Sequence, residues 1–117
     1  MMTGPPPGYA GVLPARRLEA TGSVRAVFTT RQGGLSRGPY ESFNLAYTVG
    51  DAPQSVTENR LRLAAALGTR RERLVEGEQV HGSGVAAVGP GVAGSVVPGV
   101  DALVTGSPET WLAVYSA

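Results

Sequence analysis

The sequence contains no cysteine, no lysine and no isoleucine, and only one histidine. Without cysteine, a disulfide scaffold or a thiolate metal site is excluded within these residues. One imidazole is too few for a catalytic zinc, which takes about three protein ligands and keeps one position open. Charge of one sign is also missing. Ten arginines face nine Asp and Glu, for a formal net charge of +1, so nothing electrostatic calls for nucleic acid or a membrane as a partner. No long hydrophobic run occurs. The longest uncharged stretch, Gln79 to Val100, holds six Gly and two Pro, which argues against a spanning helix. The opening MMTGPPPGYAGVLP has neither a basic start nor an apolar core, so it does not read as a signal peptide. A cytoplasmic protein is the expectation.

What is present fits one domain, or part of a larger one. Ala and Val make up 30 of the hydrophobic residues, so large core side chains are few and an isolated domain would be marginal. Residues 1–22, rich in Gly, Pro and Ala, read as a flexible lead-in. Val24 to Arg31 is dense in β-branched and aromatic residues and reads as a strand, ended by Gly33-Gly34; Leu45 to Val49 reads as a short strand. After Gly50, Val56, Arg60, Leu63 and Leu67 recur at spacings of four, three and four. That places three apolar side chains and an arginine stem on one helix face. Asp51 or Ser55 is the expected cap, with Gln54 or Glu58 completing a capping box, and Gly68 the expected left-handed terminus. Thr69 and Glu72 form another candidate box, for a short turn ending near Leu74. Val85 to Val88, Ala102 to Thr105 and Trp111 to Tyr115 read as strands. Strands mixed with one strong helix imply an α+β or mixed α/β fold.

Several residues carry chemistry on paper. Gly89, Gly91 and Gly94 match G-x-G-x-x-G, but Pro90 lies inside and no helical pattern follows, so the match is chance. Arg31 before Gly33-Gly34 can hold a phosphate or carboxylate beside open amides, or can end a strand in the ordinary way. His81, in Glu78-Gln-Val-His-Gly, is readable as a metal ligand, but a lone histidine is more often structural or exposed, and no cysteine stands by to complete a zinc site. Asn44 and Asp101 are readable as site residues or as caps of a turn and a strand.

Taken together, VFTTRQGGLSRGPYESFNLAYTVGDAPQSVTENRLRLAAALG, EQVHG and VDALVTGSPETWLAVYSA resemble the laccase-domain proteins, also called the YfiH or peptidoglycan-editing-factor family. The resemblance runs from about residue 24 to residue 117. It implies the N-terminal part of a single mixed α/β domain about twice this length, with a mixed sheet and flanking helices, stopping before an Ala-Asp-Cys motif. It also implies a zinc enzyme (copper in an older description) acting on purine nucleosides with phosphate. Purine nucleoside phosphorylase and adenosine deaminase activities, transferase and hydrolase respectively, are attributed to the family, beside an older polyphenol oxidase label. By the same resemblance His81 is the first metal ligand, while the cysteine and second histidine fall beyond Ala117. Phe43, Ala46 and Thr48 stand where the family often has Leu, Gly and His, and Thr48 removes a second imidazole.

These observations set the expectations. Arg31 and Asn44 are the candidate substrate-binding residues, Arg31 orienting phosphate. Gln79 supports the metal ligand, and His81 is that ligand. Arg31, Asn44 and His81 are expected to converge on one face. The partners are purine nucleoside and phosphate, without nucleic acid or membrane. Zinc is not expected to bind tightly to this chain alone: on a strand, Glu78 would lie on the face opposite His81. The alternative reading is an inactive fragment or an interaction module, self-associating through an unfinished sheet or an exposed apolar face along Trp111 to Tyr115.

Overall fold

A computed structural model of the chain describes residues 12–14, 24–90 and 96–115. The chain divides into two compact units, Met1–Gly68 and Thr69–Ala117.

In the first unit, β1 (Val12–Pro14) pairs antiparallel with β2 (Val27–Thr29), with Leu13 opposite Phe28. Three residues of the expected lead-in therefore form a strand. Pro14 is tolerated because a two-stranded ribbon consists only of edges. The rest of the lead-in lies outside the described residues. β2 is shorter than the Val24 to Arg31 run, covering Val27–Thr29, the residues paired with Val12–Pro14.

No strand forms over Leu45 to Val49. Asn44 diverts the backbone: its Oδ1 accepts the Ala46 N–H at 3.1 Å and its Nδ2 donates to the Ala46 carbonyl at 3.1 Å. Local side-chain bonds of this kind compete with a strand ladder. Phe43 and Leu45 still point inward and are buried.

The helix α1 spans Pro53–Ala66. Neither expected cap is used. Ala52 is the N-cap, and Pro53 opens the helix, where its missing N–H needs no partner. The Asp51 carboxylate serves Ser36, Asn44 and the Ala52 N–H instead. Val56, Leu63 and Leu67 are buried along the expected face. Arg60 follows the same stripe, donating from Nε to the Leu45 carbonyl at 2.8 Å and lying 4.6 Å from the centre of the Tyr47 ring. Gly68 ends the helix region at φ 71°, the left-handed conformation that favours glycine.

The second unit opens with a 3-10 turn, Arg71–Arg73, whose N-cap is Arg70 with no side-chain cap, so the Thr69–Glu72 box does not form. The short helical turn itself forms as expected and ends at Leu74, its C-cap, which also starts the next strand. β3 (Leu74–Gly77) is the centre of a parallel three-stranded sheet, between β5 (Val96–Val97) and β7 (Trp111–Ala113). The registers are Glu76 to Val96 and Val75 to Leu112. A second parallel pair joins β4 (Val85–Val88) to β6 (Ala102–Thr105), Val85 opposite Ala102. Val75 and Val88 are buried. The fold class is thus mixed α/β, with parallel sheets and one α-helix among the described residues. None of those residues forms a helix long and apolar enough to cross a membrane.

Candidate functional site

The sequence places its chemistry in two loops of the first unit and two of the second. In the first unit, Arg31 closes the β2 exit over residues 41–43. Its Nε and Nη2 donate to the Glu41 carbonyl at 3.3 and 3.2 Å, and its own carbonyl accepts the Ser42 and Phe43 N–H groups at 2.8 and 3.0 Å. A guanidinium carries five N–H donors, so this carbonyl contact orients the head without exhausting it. Arg31 is exposed.

Asn44 is differently placed. Besides wrapping Ala46, its Nδ2 donates to Asp51 Oδ2 at 3.2 Å. Ser36 Oγ donates to the same oxygen at 2.5 Å. The Ser36 hydroxyl, then the Asn44 amide and the Ala52 N–H, hold the Asp51 carboxyl below the usual carboxylate range, against an opposing desolvation effect. The amide of Asn44 is thereby committed to shaping the loop that also carries Arg31.

Beneath this loop lies a residue that the sequence reading passed over. Asn59, on α1, is completely buried. Its Oδ1 accepts the Leu35 N–H at 2.8 Å. Its Nδ2 donates to Ser36 Oγ at 2.9 Å, the Asn44 carbonyl at 2.8 Å and the Ser42 carbonyl at 3.3 Å. The available signal was positional. Asn59 stands three residues after Val56 and four before Leu63, a polar side chain on the apolar stripe. Buried amides persist where every polar atom finds a partner.

In the second unit, Gln79 and His81 follow β3. Both are exposed. His81 adopts φ 58°, in the region that residues with a Cβ seldom occupy. The Asp101 carboxylate, one residue before β6, faces this turn. Oδ1 accepts the Val80 and His81 N–H groups at 2.9 and 3.0 Å, and Oδ2 accepts that of Gly82 at 2.8 Å. Successive amides converging on one anion form a nest. The Gly82 N–H leads, followed by those of Val80 and His81 and the charge of His81, in holding the Asp101 carboxyl below the usual range against opposing desolvation. Gln79 and Asp101 also line a small open crevice with Gly77, Val100, Leu103 and Ala113. Glu78 is engaged elsewhere: its Oε1 accepts the Gly99 N–H at 3.2 Å.

Arg31 and Asn44 thus belong to the first unit and Gln79 and His81 to the second. Zinc finds one imidazole here. No three His, Cys, Asp or Glu gather to hold an ion among the described residues, and both Asp101 oxygens already accept N–H bonds. The described residues by themselves do not fit a catalytic zinc. Of the glycine motif, Gly91 and Gly94 lie outside the described residues.

Residues 25–117 match the family described as multi-copper polyphenol oxidoreductase laccase. A purine nucleoside phosphorylase of Corynebacterium glutamicum is 47% identical over 95 residues, covering 80% of this chain and 39% of that protein. One from Streptomyces griseus is 45% identical over 103 residues, covering 87% and 42%. Among solved structures, the hypothetical protein YfiH of Bacillus licheniformis superposes with a TM-score of 0.79 at 30% identity, over 87% of this chain and 40% of its own. YlmD of Geobacillus stearothermophilus gives 0.66 at 37% identity, over 85% and 35%. The chain therefore spans about two-fifths of the length of the curated relatives it matches.

Proposed function

Because the chain belongs to the multi-copper polyphenol oxidoreductase laccase family, we propose that the protein acts in phosphorolysis of purine nucleosides. The observation that carries this reading is the identity of 47% and 45% with relatives that bear the phosphorylase name. Chemically, phosphorolysis breaks the glycosidic C–N bond, forms a C–O bond from the sugar to phosphate, and leaves the purine base with a proton. Positive charge builds on the sugar as the bond breaks, so a phosphate anion held beside it stabilises the transition state.

On this reading Arg31 orients the phosphate. Its guanidinium is already aimed by the Glu41 carbonyl, and a planar fork of donors suits a phosphate's oxygens. Asn44 serves substrate binding through the loop it shapes. The cofactor expected on this reading is zinc, to which His81 would contribute one nitrogen with Gln79 in support, although the described residues by themselves do not complete its site.

The test is product analysis. The protein is incubated with adenosine or inosine and phosphate, with and without zinc. Phosphate-dependent release of adenine or hypoxanthine with a ribose phosphate supports the proposal. Ammonia release from adenosine without phosphate would favour deamination, and no product in any condition would refute both for this chain and favour the inactive-fragment reading.

A further inference from the structure

We infer that Asp101 is a positioning residue for His81: its carboxylate holds the turn carrying the chain's only imidazole in one left-handed backbone conformation. The consequence for catalysis rests on the phosphorylase reading; the geometry does not.

A residue with a Cβ at φ 58° needs compensation, since the side chain crowds the following carbonyl there. The compensation is local. Three consecutive N–H groups, centred on residue 81 itself, meet one carboxylate at 2.8–3.0 Å. Hydrogen bonds to an ionised acceptor are stronger than neutral ones. Both oxygens are needed, because Oδ1 takes two donors and Oδ2 the third.

Asp101 is itself anchored. Its N–H and that of Ala102 donate to the Gly84 carbonyl at 3.0 and 3.2 Å, so the far side of the histidine turn grips the start of β6 in return. A second stitch joins the same two loops: the Glu78 N–H donates to the Val97 carbonyl at 2.8 Å, and its Oε1 accepts from Gly99. The loops around residues 78–84 and 97–102 therefore clasp each other reciprocally. Asp101 acts on the backbone N–H groups of the histidine turn through its side chain, whereas the Glu78 side chain binds Gly99, which separates their roles.

The difference in acceptor count gives the experiment. In the 117-residue chain, Asp101→Asn keeps the shape but must turn its NH₂ toward an N–H donor, whichever way the amide is set. Glu78→Gln keeps the one acceptor that Gly99 uses. NMR then reads two things. The exchange of the Val80, His81 and Gly82 amides should accelerate roughly tenfold or more in Asp101→Asn, the effect of losing a charge-assisted bond. The ring Cε1–H signal of His81, the only one in the chain, should shift and broaden. Glu78→Gln should leave both unchanged, and the α1 amides should keep their protection in both variants.

A double-mutant cycle adds an independent readout. Glycine adopts a left-handed conformation without strain. Asp101→Asn should therefore shift the urea midpoint less in a His81→Gly background, and should recover folding there if the single variant fails to fold. Wild-type exchange and ring signal in Asp101→Asn would overturn the inference. So would equal effects from Glu78→Gln, an equal midpoint shift in both backgrounds, or failure of the double variant to fold where the single one also fails. Absence of phosphorolysis in the wild type would count against the proposed function and leave these outcomes as they stand.

Discussion

Asn59 has no contact with water and uses both ends of its amide. Removing it takes the partner from the Leu35 N–H and the Asn44 carbonyl, while the Ser42 carbonyl keeps the Ser36 N–H at 2.9 Å. Asn59→Ala is expected to destabilise the chain by about 3 kcal/mol, read as a lowered urea midpoint. Asn59→Asp should do no better, because a carboxylate oxygen would then face the Ser42 and Asn44 carbonyls. Two glycines show how different reasons fix one residue type. A Cβ on Gly34 would collide with the Ser42 carbonyl and lie 2.6 Å from both Asn59 Oδ1 and Phe43 Cα, backbone and buried amide that have little freedom to yield. At Gly68 a Cβ would meet nothing within 4 Å, and only φ is costly. Gly68→Ala should therefore cost about 1 kcal/mol, and Gly34→Ala distinctly more. Equal losses in thermal unfolding would contradict this account.

At the scale of elements, α1 is held by its buried stripe and by the loop it carries. Leu63→Ala should cost roughly 2–4 kcal/mol, since a buried leucine leaves a cavity. Leu61, on the exposed face, should tolerate the same change within about 0.5 kcal/mol. The Arg31–Asp51 loop is tied down at Asp51, whose carboxyl titrates below its ordinary value in the folded chain. A depressed carboxylate stabilises the fold above its unfolded pKa, near 3.8. That contribution is lost as pH falls through the lower folded value. Urea midpoints measured from about pH 5 downward should fall, and Asp51→Asn should flatten part of that slope. A slope identical in the variant would mean that other carboxylates carry the effect.

Across the whole molecule, the two units have different kinds of glue: α1 with the Asn59 network in one, parallel strands and carboxylate-stitched loops in the other. Parallel sheets are normally covered on both faces. Here the β4–β6 pair presents Val85, Ala87, Ala102 and Val104 outward, with Val85 62% and Val104 52% exposed. On β7, Leu112 is 37% exposed, and Val114 just beyond it is 75% exposed. An apolar surface of this kind should bind a hydrophobic dye. Fluorescence of the bound dye should drop in the Val85→Thr, Val104→Thr double variant, which keeps β-branched side chains on the strands. Unchanged dye binding would place the apolar surface elsewhere.

The sequence alone determined the features whose signal is periodic or local. The stripe of α1, its glycine end, the strands at 85–88 and 102–105 and the motif strings of the family all follow from spacing and residue type. It misplaced the Leu45 to Val49 strand and both capping boxes. Those turn on which partner a polar side chain chooses: Asn44 bonds the backbone of Ala46 two residues on, and Asp51 accepts from Ser36 and Asn44 across the loop. β3 and β5 were missed because their own runs are too short to show a period. β3 is Leu74 and Val75 followed by Glu76 and Gly77, and β5 is Val96–Val97 alone; only pairing with distant residues makes them strands. The same distance explains the site. His81 was legible as a residue, and Asp101 as a possible cap. That the two meet through three amides, 20 positions apart, was decided only by the tertiary structure. A carboxylate selects its donors by what folding brings within hydrogen-bond reach, and no pattern along the chain encodes that.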